Sequence, residues 1–478
     1  MGAKNDVASK INEFLFMVKN GMDIENYYIE LVSELERVNR KLNMFLKIRS
    51  AKECLSEIKK LGGKQLSYFP YSAKDNICTE GIETTAGSKI LKGYIPPFDA
   101  TVIEKMKRSG AMLLGKTNMD EFGFGTFSIN SAFSIPRNPY NTELCAGGSS
   151  GGAGVATAVI EYHVAIAVST GGSISCPAAF NGVVGLTPTY GSVSRWGLID
   201  YANSLDKIGV MGKYTKDVEI IFNIIAGIDK RDPTTNKKKI NSKAKGIRIF
   251  IPENIISGCN KTIAKSFWNA IEKLTNEYGI EYRLAELPIL QHAVPAYYII
   301  ATCEASTNLA RFCGMRYGMQ EGSYDKYFDE FFTDARSSFF GKEAKRRIIL
   351  GTFARMAGYR NKYYLKALKV RGMIIGELKN IFKRYDIIAT PTMPITAPPI
   401  SLAEKLSPIE TYMLDMLTIP PNLAGMPHIS LPIAYKDSPI GMQFIANHYA
   451  EELLFHMGKL WESIFKYKPA PIRVGVIK

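Results

Sequence analysis

Apolar positions along the chain recur at two spacings, one typical of helices and one typical of buried strands. Residues 7–19 and 24–40 carry apolar side chains at helical spacing, and Ile263, Phe267 and Leu274 form one further stripe of this kind. Shorter apolar runs lie between such segments. Together they predict helices at 7–19, 24–40, 99–110, 152–160, 261–277 and 450–466, and strands at 44–48, 112–115, 164–168, 248–251, 429–434 and 442–446.

The order of these elements predicts the fold class. Strands that alternate with helices are typical of an α/β protein, so we expect a mixed, largely parallel central sheet covered by helices on both faces. Residues 294–383 have mostly helical spacing and predict a cap inserted into this body. No Gly-, Ser- or Pro-rich linker divides the chain, so we expect a single domain over residues 1–478, with N-terminal helices at about 5–40.

Composition narrows the class of protein. Apolar residues make up 46% of the chain, which is ample for a large buried core. The longest uncharged run, 164–194, is interrupted throughout by Ser, Thr, Gly and Pro, and the N-terminus has no apolar signal core. We therefore expect neither a transmembrane helix nor an export signal. The seven cysteines form no C-x-x-C pair, which indicates a reduced cytoplasmic protein without a metal site.

The net charge of +15 is compatible with a nucleic-acid partner. However, many of the cations occur in runs such as 105–108 and 237–239, which are typical of solvated faces. The charge alone therefore does not predict direct contact between this chain and a nucleic acid.

Two serine-containing segments are embedded in glycine, Gly-Gly-Ser-Ser-Gly-Gly at 147–152 and Ser-Thr-Gly-Gly-Ser at 169–173. Glycine lets the backbone approach a ligand closely and direct N–H groups at a developing negative charge. A flexible linker is the plainer interpretation, but the Ala- and Val-rich run 153–160 follows directly. The Walker loop of phosphate-binding proteins is absent as well. The pattern favours nucleophilic catalysis by serine.

Histidine is the usual base for a serine nucleophile, but none of the five histidines lies in a glycine-rich segment. Four of them lie in or beside apolar stretches, which is typical of structural histidines. The letters G-x-S-x-G occur at 147–151 and 148–152, yet no strand-like segment leads into them, as a nucleophile elbow requires. A Ser-His-Asp hydrolase is therefore disfavoured, and a lysine is the remaining candidate base.

Lys74 differs from the other lysines because it lies in the mostly apolar segment 69–77. A lysine titrates near 10.4 in water, and burial can lower this pKa by several units. Lowering it to about 7 corresponds to about 4 kcal/mol of preference for the neutral form. A neutral amine of this kind can accept a proton from a serine.

Lys74, the 147–152 segment and residues 170–174 together resemble the Ser-Ser-Lys constellation of the amidase signature family. The two serines are 24 residues apart, as in that family, and the Pro-Ala-Ala-Phe run at 177–180 also matches. The resemblance implies that Ser173 is the acyl-forming nucleophile and that Ser149 bridges it to the base Lys74. It also implies a cis peptide bond at Gly148–Ser149. The oxyanion hole would be formed by backbone N–H groups of Thr170, Gly171 and Gly172.

Within this family the chain resembles the A subunits of tRNA-dependent amidotransferases, through segments 115–122, 185–191, 204–209, 345–352 and 422–425. The resemblance implies a glutaminase that releases ammonia to amidate Glu-tRNA(Gln) and/or Asp-tRNA(Asn) in a partner subunit. Glutamine is a zwitterion and needs one cation and one anion for its backbone groups. By resemblance, Arg347 would bind the carboxylate, Asp415 the ammonium, and Tyr297 would add a hydroxyl.

The resemblance also implies two kinds of partner, the tRNA-binding B subunits and the small C subunits of those amidotransferases. ATP and Mg²⁺ are expected in the partner, and this chain is expected to bind no cofactor or metal. Ser169 and Ser175 depart from the family pattern, which has an acidic residue and an arginine there. Two alternatives remain open, a stand-alone amidase for small amides and a catalytically impaired structural subunit. Cys176, close to the nucleophile, is expected to pack in the core rather than react.

Overall fold

The computed structural model describes residues 8–236, 238, 246–319 and 327–477 of the chain. Within these residues the strands form one eleven-stranded sheet. The strands are β1 Phe45–Ile48, β2 Pro70–Lys74, β3 Met112–Thr117, β4 Val164–Ser169, β5 Val184–Thr187, β6 Lys207–Gly212, β7 Arg248–Pro252, β8 Glu281–Ala285, β9 Ile387–Pro391, β10 His428–Tyr435 and β11 Pro439–Ala446.

The α-helices of the described residues lie before, between and after these strands. They are α1 Lys10–Lys19, α2 Ile24–Leu42, α3 Ala51–Leu61, α4 Thr101–Ser109, α5 Gly151–Val159, α6 Ser175–Asn181, α7 Thr215–Ile225, α8 Glu253–Ile256, α9 Lys261–Tyr278, α10 Ala293–Asn308, α11 Phe328–Phe339, α12 Lys342–Arg355, α13 Lys366–Ile381, α14 Ile400–Ala403, α15 Pro408–Met413, α16 Ile419–Leu423 and α17 Glu451–Ile464.

The expectation of a mixed α/β sheet is confirmed, but the sheet is less parallel than predicted. Its strand order is β1-β3-β2-β4-β6-β5-β10-β11-β9-β7-β8. The pairs among β3, β2 and β4 and those among β9, β7 and β8 are parallel, whereas the pairs from β4 through β6, β5, β10 and β11 to β9 are antiparallel. The reason is a short connection, since residues 436–438 join β10 to β11 and a parallel neighbour needs a crossover.

Alternation along the central strand β4 shows that both faces of the sheet are buried. Val164, Ile166 and Val168 belong to the large core, whereas Ala165 and Ala167 pack with residues of α5 and of the β4–α6 connection. A strand that is covered on both faces is apolar at every position, which is why β4 was recognisable in the sequence. The small alanines lie on the face that carries the candidate site.

All the helices and strands predicted from spacing are present within one to four residues at each described end. Residue 7, where the first predicted helix begins, lies outside the described residues. The helix-rich region 294–383 contains α10 to α13, and its residues 320–326 also lie outside them, as do 237 and 239 of the lysine run. Among the described helices, none is long and apolar enough to span a membrane. The single domain stays a prediction.

Candidate active site

Lys74 is the last residue of β2, and alternation along that strand decides where its side chain points. Its neighbour Ala73 joins the large core, so Lys74 lies on the opposite face of the sheet. Its Nζ atom donates hydrogen bonds to Ser149 Oγ at 2.7 Å and to the Val168 carbonyl at 3.2 Å. The expected contact between Lys74 and Ser149 is therefore present.

The ammonium of Lys74 is poorly stabilised. The residue is 1% exposed, and burial lowers its pKa to about 7 because the charged form loses its hydration. Asp120 and Asp206 favour the charged form through space, but within the described residues Lys74 forms no salt bridge with either. Burial in turn raises the pKa of Asp120 to about 6 and that of Asp206 to about 7. Lys74 can therefore be neutral near pH 7.

The backbone before Ser149 is held in place by Asp120. The peptide bond between Gly148 and Ser149 is cis, and the Ser149 carbonyl accepts a hydrogen bond from the Asp120 N–H at 3.1 Å. The Asp120 carboxylate accepts from the N–H groups of Ser128 at 3.0 Å and Asn130 at 2.8 Å. A Cβ atom at Gly148 would lie 2.4 Å from this carboxylate, so a side chain there would displace it.

Ser173 lies in the connection between β4 and α6, on the same face of the sheet as Lys74. The next residue, Ile174, packs on the small Ala165 and Ala167 side chains of β4, which bring this connection close to the sheet. Ser173 is 7% exposed. Among the described residues no hydrogen bond joins it to Ser149. Catalytic hydrogen bonds are often long in an unliganded enzyme and tighten when substrate binds.

Two side chains orient the residues just before Ser173. The Thr170 hydroxyl donates to Asp206 at 2.7 Å, and the Asn422 side-chain amide donates to the Gly171 carbonyl. A carbonyl and the following N–H point in opposite directions across a trans peptide, so the Gly172 N–H points away from Asn422. In the described part of the chain, the N–H groups of Gly172 and Ser173 make no hydrogen bond, which leaves them available to a ligand.

The two glycines of this connection are required by close neighbours. A Cβ atom at Gly171 would lie 2.9 Å from the Tyr297 hydroxyl, and one at Gly172 would lie 2.5 Å from the Thr418 hydroxyl. Tyr297 is therefore beside the candidate oxyanion hole. It is buried, at 4% exposure, and burial raises the pKa of its hydroxyl well above the usual value.

The residues that depart from the family pattern are buried and uncharged. The Ser169 hydroxyl donates to the Gly171 carbonyl at 3.2 Å, whereas the Ser175 hydroxyl has no partner among the described residues. Cys176 packs in a small apolar cluster, and burial raises the pKa of its thiol well above the usual value. It therefore stays protonated, which is unfavourable for a nucleophile.

Arg347 lies on the inner side of α12 and is 2% exposed. Its Nε atom donates to Glu343, one helical turn earlier, at 2.8 Å. The guanidinium carbon lies 5.0–5.6 Å from the centres of four aromatic rings, and a terminal nitrogen donates to the hydroxyl of one of them. The four rings belong to Phe124, Tyr201, Tyr298 and Tyr412. They stabilise the cation without a second salt bridge.

Asp415 is linked to Arg347 through Tyr298. The Tyr298 ring lies under the guanidinium at 5.2 Å, and its hydroxyl donates to Asp415 Oδ2 at 2.8 Å. The Thr126 hydroxyl donates to the same oxygen at 3.0 Å. Burial raises the pKa of Asp415 to about 6, although both hydroxyls favour the ionised form. The structure thus brings the cation and the anion of the candidate glutamine site close together.

A cavity of about 220 Å³ opens beside Arg347. Its walls include Thr126, Glu343 and Tyr412, but Ser149 and Ser173 are not among them. Within the described residues, no cluster of three or more His, Cys, Asp and Glu side chains is arranged to hold a metal ion.

Known proteins resemble this chain over nearly its whole length. A family model described as Amidase matches residues 29–455. The chain belongs to the amidase family. Within the family, it is 44% identical over 472 residues to one of the A subunits of glutamyl-tRNA(Gln) amidotransferases, that from Sulfolobus acidocaldarius, covering 96% of this chain and 98% of that one. A protein of the same name from Clostridium botulinum is 40% identical, with 94% and 95% coverage.

Solved amidase-family structures have the same fold. The crystal structure of the protein of that name from Thermotoga maritima superposes with a TM-score of 0.77 at 33% identity, covering 95% of this chain and 98% of that one. A peptide amidase from Stenotrophomonas maltophilia superposes with a TM-score of 0.79 at 24% identity, covering 98% and 99% of the two chains. The second likeness concerns the fold alone.

Sequence reasoning assigned no role to several residues that shape this amidase site. Asp120 and Asp206 lie inside segments that carry the family resemblance, so those segments contained a usable signal. Glu343 precedes Arg347 by four residues on a helix, a spacing that predicts an ion pair. Tyr298 gave no such signal, because a buried tyrosine beside another tyrosine is typical of an ordinary core.

Proposed function

We propose that this chain is the glutaminase subunit of a tRNA-dependent amidotransferase and that Lys74, Ser149 and Ser173 are its catalytic residues. The observation that carries the proposal is the 2.7 Å hydrogen bond from a buried lysine, with a pKa of about 7, to Ser149. The names of the relatives support the choice of glutamine and tRNA-linked amidation. The retained Lys74–Ser149 contact disfavours a purely structural subunit.

The reaction begins with proton transfer away from Ser173. Neutral Lys74 accepts the proton of Ser149, and Ser149 accepts that of Ser173 as the Ser173 oxygen attacks the side-chain amide carbon of glutamine. The carbonyl oxygen becomes an oxyanion. N–H groups of the 170–173 connection stabilise this charge, with Thr170, Gly171 and Gly172 forming the hole. The geometry in favour is the orientation that Asp206 and Asn422 impose on that connection.

The amide bond then breaks. Lys74 returns its proton through Ser149 to the leaving nitrogen, ammonia departs, and a γ-glutamyl ester remains on Ser173. Water attacks this ester with Lys74 again acting as base, and glutamate leaves. Each step uses the same proton relay in one of its two directions.

Glutamine is bound by its backbone charges. Arg347 binds the α-carboxylate, Asp415 binds the α-ammonium, and the Tyr297 hydroxyl contacts the substrate beside the oxyanion hole. A planar guanidinium can hold a carboxylate through two parallel hydrogen bonds. The link from Arg347 through Tyr298 to Asp415 supports this division, because it sets the cation and the anion at a fixed separation.

The same proposal assigns the partners. Two further proteins, of the kinds represented by the tRNA-binding B subunits and the small C subunits, would assemble with this chain. The tRNA-binding partner would activate Glu-tRNA(Gln) or Asp-tRNA(Asn) with ATP and Mg²⁺ and receive the ammonia in the cytoplasm. This chain would bind no cofactor of its own.

Co-expression with the two partner subunits of the same genome tests the proposal. We expect a stable complex that converts Glu-tRNA(Gln) or Asp-tRNA(Asn) to the amide with glutamine as donor. A variant complex carrying Ser173→Ala should still amidate when ammonium chloride replaces glutamine, because only the glutaminase step is lost. If the chain hydrolyses simple amides but forms no such complex, the stand-alone amidase is correct instead.

A further inference from the structure

Helix α12, which carries Arg347, is packed unusually closely on one side. The residues that face α10 are small, and a Cβ atom at Gly351 would lie 1.9 Å from the Thr302 carbonyl of α10. Ala344 and Ala354 are buried on the same side. Since this inner side already fills its share of the core with small residues and Arg347, the opposite side is expected to be polar.

The opposite side is apolar instead. Ile349 is 67% exposed, Met356 is 52% exposed and Phe353 is 42% exposed. The Phe353 ring lies 4.5 Å from that of Tyr359 and 5.9 Å from that of Tyr363. We call this surface the outer α12 face. It consists of Ile349, Leu350, Phe353, Met356, Tyr359 and Tyr363, all of them exposed.

Exposed apolar residues are ordinary when they are scattered, but a contiguous group marks a surface that another molecule covers. A helix that is apolar on both sides is characteristic of a buried helix. The outer α12 face therefore has the composition of an interface centre, which is rich in aromatic residues and methionine.

The charges around this face are all of one sign. Residues 344–376 contain no Asp or Glu, and they contain nine Lys and Arg residues. Arg360, Lys362 and Lys366 of this set are exposed at the edge of the face. A second copy of the chain would bring the same positive charges, which repel each other, whereas a partner with acidic residues around its own apolar centre would complement them.

A protein partner fits this face better than RNA does. RNA-binding surfaces combine cations with aromatic rings on which bases stack. The outer α12 face has the cations and rings, but Ile349, Leu350 and Met356 are aliphatic and offer no stacking surface. Aliphatic side chains at the centre with charges at the edge are the arrangement of a protein–protein interface.

We propose that the outer α12 face is the docking site for a second protein, through an apolar surface edged by acidic residues. That this protein is the tRNA-binding partner in an amidotransferase rests on the proposed function. Docking would take place on the helix whose inner side carries Arg347.

The test is the affinity between this chain and the tRNA-binding partner encoded by the same genome, measured with purified proteins. The double variant Ile349→Glu/Phe353→Glu should raise the dissociation constant at least about 100-fold, since it places two charges in the interface centre. The control variant Phe16→Glu/Ile228→Glu changes two residues that are 68% and 66% exposed elsewhere. It should change the constant less than about threefold, as expected of exposed positions outside the interface.

A second measurement on the wild-type complex needs no variant. Oxidative footprinting should show less modification of Met356 in the complex than in the free chain, because a docked partner would cover its exposed sulfur. Equal modification of Met356, or equal affinity of the two double variants, overturns the docking site while leaving the amidotransferase assignment intact.

Two other outcomes are decisive. If the wild-type chain hydrolyses glutamine but forms no complex with that partner, the amidotransferase assignment and the docking site both fail. If the chain alone binds tRNA, and the Ile349→Glu/Phe353→Glu variant loses tRNA but retains the protein partner, then the face binds RNA and the proposal is wrong.

Discussion

Two buried cations, Lys74 and Arg347, lie in different parts of the candidate site, and burial affects them in opposite ways. Both are at most 2% exposed. Lys74 has neutral hydrogen-bond partners, and its pKa falls to about 7. Arg347 has the Glu343 carboxylate and four aromatic rings, and its pKa is raised well above its usual range.

The difference shows that the immediate neighbours of a buried cation, more than its depth, decide what it can do. A lysine among neutral groups can release and accept a proton, whereas an arginine beside a carboxylate keeps a permanent charge. The first property suits a base and the second suits the recognition of a carboxylate. The predictions below try to separate these two roles.

The largest effect is expected at the nucleophile, on the Lys74 side of the comparison. Ser173→Ala should lower kcat for glutamine hydrolysis by about 10³-fold or more, because no other group can form the acyl ester. Ser175→Ala is the matched control, since that buried hydroxyl has no partner among the described residues and its loss should change kcat little. Near-normal hydrolysis by Ser173→Ala would exclude it as the nucleophile.

Lys74→Arg should be nearly as damaging as Lys74→Ala, each lowering kcat by about 10²-fold or more, because a guanidinium stays protonated and cannot act as base. In the wild type, kcat/KM should rise with pH and level off above about 7, since only the neutral amine accepts the proton and the pKa of Lys74 is about 7. A pH–rate profile of each variant measures this. Substantial activity in Lys74→Arg would show that Lys74 supplies only charge.

The same comparison explains how much could be predicted from the sequence. The all-apolar strand β4 and the amphipathic helices α2 and α9 were predicted because their periods are set by local sequence. Strand β2, which carries Lys74, was missed, because its five residues include Pro70, Ser72 and Lys74 and become buried only through the parallel neighbours β3 and β4. Lys74 itself was found from its apolar surroundings.

The environment of Arg347 could not be predicted in the same way. Its aromatic rings come from distant segments, with Phe124 and Tyr412 separated by most of the chain. Only Glu343, one turn away, has a local spacing that indicates contact. Residues that shape a site through tertiary contacts, such as Tyr298, leave no pattern along the sequence.

Arg347→Ala should lower kcat/KM for glutamine at least about tenfold, because losing a buried partner of a charged group costs about 2–5 kcal/mol. Hydrolysis of a small neutral amide without an α-carboxylate should change little, since Lys74, Ser149 and Ser173 are retained. Steady-state kinetics on both substrates distinguish the outcomes. An equal loss on the two substrates would mean that Arg347 stabilises the fold rather than binding the carboxylate.

The smallest effect is expected at Tyr298, which joins the Arg347 side of the site to Asp415. Tyr298→Phe keeps the ring under Arg347 but removes the hydroxyl that donates to Asp415 at 2.8 Å. Thr126 still donates to the carboxylate, so we expect the KM for glutamine to rise only about 3–10-fold, in line with the loss of one hydrogen bond to a charged group. Because that hydrogen bond favours the ionised form, its loss should raise the pKa of Asp415 above its present value of about 6. Fewer molecules then carry the carboxylate at pH 6.5 than at pH 8.5, so the rise in KM should be larger at the lower pH. Tyr27→Phe, which removes another buried hydroxyl that is unpaired in the described structure, is the control and should leave the KM unchanged. A KM rise of the same size at both pH values would show that the charge of Asp415 does not contribute to glutamine binding.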